Sequence, residues 1–164
     1  MLFRSSGGFG TGPVEPLVHA LRKIPEPLQA LVVTGKNTAL YHRLESLGPT
    51  FPHRLRVYGF VDNMDELMDV SDLFVTKPGG LSCTEAMMKG LPMVLVAPIP
   101  GQEARNARIV SKFGAAVLAG PAAKAPEIIQ TLRHDPTRLK EMARRGISVG
   151  HPDAAMETAK LALE

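Results

Sequence analysis

The sequence predicts a doubly wound α/β domain, a parallel sheet covered by helices on both faces. Short apolar runs alternate along the whole chain with amphipathic, helix-period stretches. Nearly every apolar run hands over to a helix through a loop rich in Gly or Pro, the arrangement that keeps successive strands parallel. With 164 residues, 45% hydrophobic and 21% charged, the chain is long enough for one domain with a full core between sheet and helices.

Taken in order, residues 2–4 read as a strand, and 5–13 (Ser-Ser-Gly-Gly-Phe-Gly-Thr-Gly-Pro) as a glycine-rich loop feeding a helix from Val14 to about Lys23. An opening directly on a core strand suggests that another half precedes it. Gly8, Gly10 and Gly12 lack the spacing of a nicotinamide-dinucleotide loop, so a phosphate-facing turn and a plain connecting loop both stay open. Residues 28–34 form the next strand, ending at Gly35, and 38–47 an amphipathic helix closed by Gly48 and Pro49. A strand at 55–58 exits through Gly59, Phe60, Val61 and Asp62, and Asn63 or Asp65 caps a short helix reaching about Val70. Phe60 has two readings, stacking on a planar base or filling the core.

The central stretch runs from Lys77 to Asn106. A buried strand at 73–75 stops at Thr76 and Lys77, and Pro78, Gly79 and Gly80 force a turn. The spacing of Ser82 and Glu85 predicts a capping box opening a helix that Gly90 ends. A second buried strand at 93–96 breaks at Pro98, Ile99, Pro100 and Gly101, and a helix follows from Gln102 to Phe113, stopped by Gly114. Two parallel strands ending in such loops bring both turns to the carboxyl edge of one sheet, where ligands bind in this architecture. Gly79 and Gly80 leave backbone amides uncovered at a helix N-terminus, which makes a phosphate seat.

A short strand at 115–118, a loop at 120–125 and helices at 126–134 and 136–145 complete the alternation, with Gly146 expected to stop the last of these. A bend at His151 and Pro152 precedes a final helix at 153–164, a candidate to cross onto a missing half.

The formal charge of +3 is mildly basic and suits a phosphate-rich ligand or an anionic membrane surface, without pointing to nucleic acid. Arg138, Lys140, Arg144 and Arg145 could face anionic lipid, but a solvated helix surface is the simpler reading. One cysteine, Cys83, excludes an internal disulfide framework and suits a reducing cytoplasm; it reads as a small, half-buried filler. The five histidines are scattered without metal-ligand spacing, so no metal site is expected. Neither a nucleophile turn nor a carboxylate pair stands out, and the chain looks built to hold a ligand rather than to carry a complete reaction centre.

Several runs resemble one family in one order. They are Gly-Gly-Phe-Gly-Thr-Gly-Pro-Val-Glu near the start, Val-Val-Thr-Gly-Lys-Asn at 32–37, Tyr-Gly-Phe-Val at 58–61, Thr-Lys-Pro-Gly-Gly-Leu-Ser-Cys-Thr-Glu-Ala at 76–86, Gly-Leu-Pro at 90–92, and Pro-Ile-Pro-Gly-Gln-Glu-Ala-Arg-Asn-Ala at 98–107. Together they resemble the diacylglycerol glycosyltransferases, which include monogalactosyldiacylglycerol synthase and the processive bacterial diacylglycerol glucosyltransferases. Plant-type members tend to read Lys-Ala-Gly-Pro-Gly-Thr where this chain has Lys-Pro-Gly-Gly-Leu-Ser, so the bacterial branch is nearer.

The resemblance implies a GT-B enzyme of two Rossmann-like halves, with residues 1–164 as the C-terminal, nucleotide-sugar-binding half and the acceptor half absent. It implies a UDP-sugar donor and a lipid acceptor, diacylglycerol, reached through the other half. Transfer is expected to be inverting and metal-independent, with no cofactor. The full enzyme is expected at the cytoplasmic face of the membrane, its general base lying in the missing half. Phe60 and Val61 are expected to line the uracil and Glu85 to bind the ribose hydroxyls. Gly79, Gly80, Leu81 and Ser82 are expected to hold the diphosphate, with Lys77 in the same loop and help from Gly7, Gly8 and Gly10. Gln102 and Glu103 are expected to bind the sugar, with Asn106 supporting their loop. Three alternatives stay open: the donor half of a peptidoglycan-type N-acetylglucosaminyltransferase, a stand-alone nucleotide-sugar-binding subunit needing a membrane partner, and half of a sugar epimerase.

Overall fold

The computed structural model of the chain describes residues 2–5, through their backbone, and 12–163. Six strands make one sheet: β1 (Leu2–Ser5), β2 (Gln29–Val33), β3 (Arg54–Tyr58), β4 (Leu73–Thr76), β5 (Met93–Val96) and β6 (Ala116–Gly120). All pairings are parallel and the order is β3-β2-β1-β4-β5-β6. The doubly wound expectation is met.

The strand sequences explain the layering. In β4 and β5 all four residues are buried, as parallel strands covered on both faces require. Side chains alternate faces along each strand. Val94 and Val96 point into one core with α1 (Val14–Leu21), α2 (Thr38–Glu45) and α6 (Ala125–Arg133). Met93 and Leu95 point into the other with α3 (Met64–Asp69), α4 (Gly80–Met88) and α5 (Gln102–Phe113). α7 (Pro136–Val149) packs against α4, α5 and α6, and α8 (Ala154–Leu163) follows with no buried residue. Edge strand β3 alternates exposed Arg54 and Arg56 with half-buried Leu55 and Val57.

Two sequence-based boundaries are corrected. α4 starts at Gly80 with Gly79 as its extended N-cap (φ −67°, ψ 141°), so Ser82 lies inside the first turn and the Ser82–Glu85 capping box does not form. The turn at Pro78 and Gly79 lets helical geometry begin at Gly80, two residues before the serine, which leaves Ser82 nothing to cap. Gly146 does not stop α7; the helix continues to Val149 and Gly150 takes the cap. Gly146 is there for packing: a Cβ at this position would lie 3.2 Å from the Met87 carbonyl oxygen and 3.3 Å from Met87 Cα.

Candidate functional site

The strand order reverses between β1 and β4, so the connections leaving these two neighbours go to opposite faces and open a crevice at the carboxyl edge. The loop after β4, from Lys77 to Gly79, borders it. The Gly79 amide donates back to the Lys77 carbonyl at 2.8 Å and the Cys83 amide to the Gly79 carbonyl at 3.0 Å. The expectation that Gly79 offers a free amide is therefore corrected, since the tight turn consumes it. The donors left at this end are the amides of Gly80, Leu81 and Ser82, which have no carbonyl partner within the helix. They carry the positive end of the α4 dipole. Leu81 projects outward, 82% exposed.

One turn further along α4, Glu85 is exposed. It borders a groove of about 340 Å³ shared with Asp62, Met64, Asp65, Met68, Met88 and Lys89. Glu85 is thus brought beside the loop that carries Phe60 and Val61. Phe60 is 66% exposed, and Lys36 Nζ lies 5.9 Å from its ring centroid. Of the two readings, core filling is ruled out; an exposed ring at a strand's carboxyl end stays available to a planar group. Lys36 was missed in the sequence. Its signal is its place, directly after Gly35 at the end of the neighbouring strand β2.

The second turn, after β5, is held by backbone geometry and by Glu103. Ala97 has a left-handed φ of 43° and Gly101 a φ of 101° with ψ −123°, a conformation that glycine alone takes readily. The Glu103 carboxylate accepts from the Ile99 amide at 2.9 Å and pairs with Lys77 Nζ at 3.1 Å. This ion pair ties the two turns together and leaves the carboxylate only part of its accepting capacity. Asn106 does not support its own loop, as expected, but donates from Nδ2 to the Pro78 carbonyl at 3.1 Å, making a second tie to the turn after β4. Gln102, exposed at the first position of α5, stands beside Glu103. Gly7, Gly8 and Gly10 lie outside the described residues.

Cys83 is buried between α4 and the sheet, deeper than the half-buried position expected. Burial, reinforced by the nearby Glu103 carboxylate, pushes its thiol up to about 11. It stays protonated at neutral pH and is a poor nucleophile.

Residues 14–158 match the model of the glycosyltransferase family 28 C-terminal domain. The chain belongs to that family. Among curated relatives, the family 28 domain is 40% identical over 119 residues to the processive diacylglycerol beta-glucosyltransferase of Bacillus licheniformis, covering 73% of this chain and 31% of that protein. It is 35% identical over 153 residues to the enzyme of the same name from Bacillus thuringiensis, covering 93% of this chain and 39% of the relative. The chain therefore spans well under half the length of these relatives.

Among solved structures, the family 28 domain superposes on MurG of Acinetobacter baumannii with a TM-score of 0.81 at 21% identity, over 98% of this chain and 48% of that one. It superposes on Anabaena HepE in complex with UDP-glucose with a TM-score of 0.71 at 20% identity, over 90% of this chain and 43% of that one. These likenesses establish the fold, a GT-B half. The resemblance drawn from the motifs to the diacylglycerol glucosyltransferases is borne out by the curated relatives. Among the described residues, no helix is long and apolar enough to cross a membrane.

Proposed function

We propose that this domain binds a UDP-sugar at the crevice between β1 and β4, as the donor half of an enzyme that transfers a hexose to diacylglycerol. The observation that carries the reading is the double fastening of the two turns, Lys77 to Glu103 and Asn106 to Pro78. It holds the free amides of α4 and the first turn of α5 in one fixed frame before any ligand arrives. The curated relatives' names support the acceptor and a glucosyl donor, and the neighbour crystallised with UDP-glucose is in keeping with that donor class.

In this reading the amides of Gly80, Leu81 and Ser82 receive the diphosphate. Their role grows as UDP leaves, because charge builds on the leaving oxygens and preorganised donors stabilise it without further reorientation. No metal or cofactor is required by this arrangement. Glu85 accepts the two ribose hydroxyls, a match of one carboxylate to vicinal donors. Phe60 and Val61 line the base, while Gln102 and the uncommitted oxygen lone pairs of Glu103 meet the sugar hydroxyls. The motif resemblance adds Gly7, Gly8 and Gly10 to the residues assigned to the diphosphate. Transfer is inverting, with the acceptor hydroxyl attacking the anomeric carbon from the face opposite UDP. The general base belongs to the remainder of the protein, so these 164 residues bind donor without completing transfer.

Calorimetric titration with UDP, UDP-glucose, UDP-galactose and ADP tests this. Uridine nucleotides are expected to bind and ADP not to, with the ranking of the two sugars naming the donor. Equal binding of ADP and UDP, or undiminished UDP binding by the Glu85→Ala variant, would refute the assignment of the nucleoside site.

A further inference from the structure

The loop leaving β2 carries a lysine between two fixed residues. Thr34, fully buried, donates both its amide and its hydroxyl to the Tyr58 carbonyl, at 2.9 and 3.0 Å, and so fastens the exit of β2 to the exit of β3. Gly35 then turns through a left-handed φ of 60°, which glycine adopts without strain. Asn37 is held in turn as the N-cap of α2, its side chain accepting from the Leu40 amide at 3.0 Å. Lys36, between them, is exposed, and its ammonium lies over the Phe60 ring, 5.9 Å from the centroid.

That position separates Lys36 from the α4 amides. In the order β3-β2-β1-β4 the Phe60 loop follows the strand next to β2, whereas α4 follows a strand two places away on the other side. At about 4.8 Å per strand, the ends of β2 and β4 stand roughly 10 Å apart. The lysine in the loop before α4, Lys77, is committed to Glu103. Lys36 enters no ion pair among the described residues, so its donors are left for a ligand. An ammonium has three donors and no acceptor. Uracil presents the carbonyl oxygen O4 on its edge, where cytosine carries an amino group, and adenine carries one at the corresponding place on its six-membered ring.

We propose that Lys36 selects the base of the donor, an inference that rests on the donor-site reading above. A base stacked on Phe60 brings its edge to the Lys36 ammonium, which donates to O4 of uracil. Cytosine or adenine would turn an amino group toward the ammonium instead, donor against donor, and neither group would find an acceptor there. A site built to hydrogen-bond one group discriminates strongly against an analogue that lacks it. Phe60 supplies a stacking surface that any base can use, because every base has a π-face. The ring therefore contributes affinity, and the lysine beside it contributes the choice of uracil.

Titration calorimetry with UDP and CDP, which differ only in the base edge, tests the proposal. The chain is expected to bind UDP more tightly, and Lys36→Met to weaken UDP about tenfold while leaving CDP unchanged. Lys36→Arg, which keeps the charge and the donors, should retain the preference for UDP. Phe60→Ala should weaken both nucleotides alike. Thermal unfolding should be unaltered in the Lys36 variants, because the side chain is exposed. An equal loss of UDP and CDP in Lys36→Met would mean that the charge attracts the diphosphate, and no change in either would mean that Lys36 meets no part of the nucleotide; each result overturns the proposal. Where Glu85→Ala still abolishes UDP binding, those results count against Lys36 alone. Absence of uridine-nucleotide binding to the unaltered chain overturns it together with the donor-site reading.

Discussion

Lys77 and Glu103 join the loop after β4 to the loop after β5 through a 3.1 Å ion pair in which both side chains are largely shielded from solvent. Pairing them leaves neither charge stranded, and the Ile99 amide takes up the other carboxylate oxygen. Loss of one partner leaves a half-buried charge unanswered, which costs more than the pair contributes as a pair.

Lys77→Met and Glu103→Gln should each lower stability by about 1–2 kcal/mol. The double variant should lose less than the sum, with a coupling of about 1 kcal/mol. A double-mutant cycle by urea denaturation measures this. Full additivity would mean that the two turns are held by other contacts.

Glu85 is exposed and stands at the rim of a groove. Glu85→Ala should therefore change unfolding by no more than about 0.5 kcal/mol, while weakening UDP about 10- to 100-fold by removing a charge-assisted acceptor. Titration calorimetry beside thermal unfolding distinguishes a binding role from a structural one. A large loss of stability with unaltered affinity would reverse the assignment.

Gly146 faces the Met87 backbone across the α4–α7 contact, and backbone cannot give way as a flexible side chain can. Gly146→Ala should destabilise by about 1–3 kcal/mol from overpacking, despite a gain of about 1 kcal/mol in helix propensity. Denaturant unfolding reads the net sign. A stabilised variant would show that the two helices separate at little cost.

The Cys83 thiol titrates near 11 in the folded chain because it is buried. Below about pH 9 both folded and unfolded chains keep the proton. Between about 9 and 11 the unfolded chain releases it first, so stability falls as pH rises, by about 2–3 kcal/mol in all. Cys83→Ala should lack this part of the alkaline slope. At neutral pH the native thiol should resist a disulfide reagent until the chain is unfolded.

The doubly wound class and most element boundaries were legible because they are written in local periods, whereas the order of the strands joins distant segments and was not. Met93 to Val96 is an unbroken apolar run, and Gly90 and Gly101 punctuate it. The two boundary errors came from residues with more than one use. Ser82 and Glu85 have capping-box spacing, but the preceding Pro78-Gly79 turn starts the helix earlier. Gly146 has the composition of a helix stop, but its missing Cβ is needed where α7 crosses α4. The motif resemblance proposes which residues form the site, but their mutual restraint was not legible. The partnership of Lys77 with Glu103, the reach of Asn106 to Pro78 and the approach of Lys36 to Phe60 all join separate loops. No periodicity in the chain encodes such distances.

Phe60, Leu81 and Ile99 stand on three separate loops or helix starts at the carboxyl edge and keep large apolar surfaces in water. Their consequence is calorimetric. A nucleotide seated on amides and carboxylates with its base against Phe60 leaves the Leu81 and Ile99 side chains in water, so its binding carries only a modest heat-capacity change. Anything that closes over all three side chains carries a markedly negative one. The temperature dependence of the binding enthalpy therefore separates occupation of the crevice from closure of its rim.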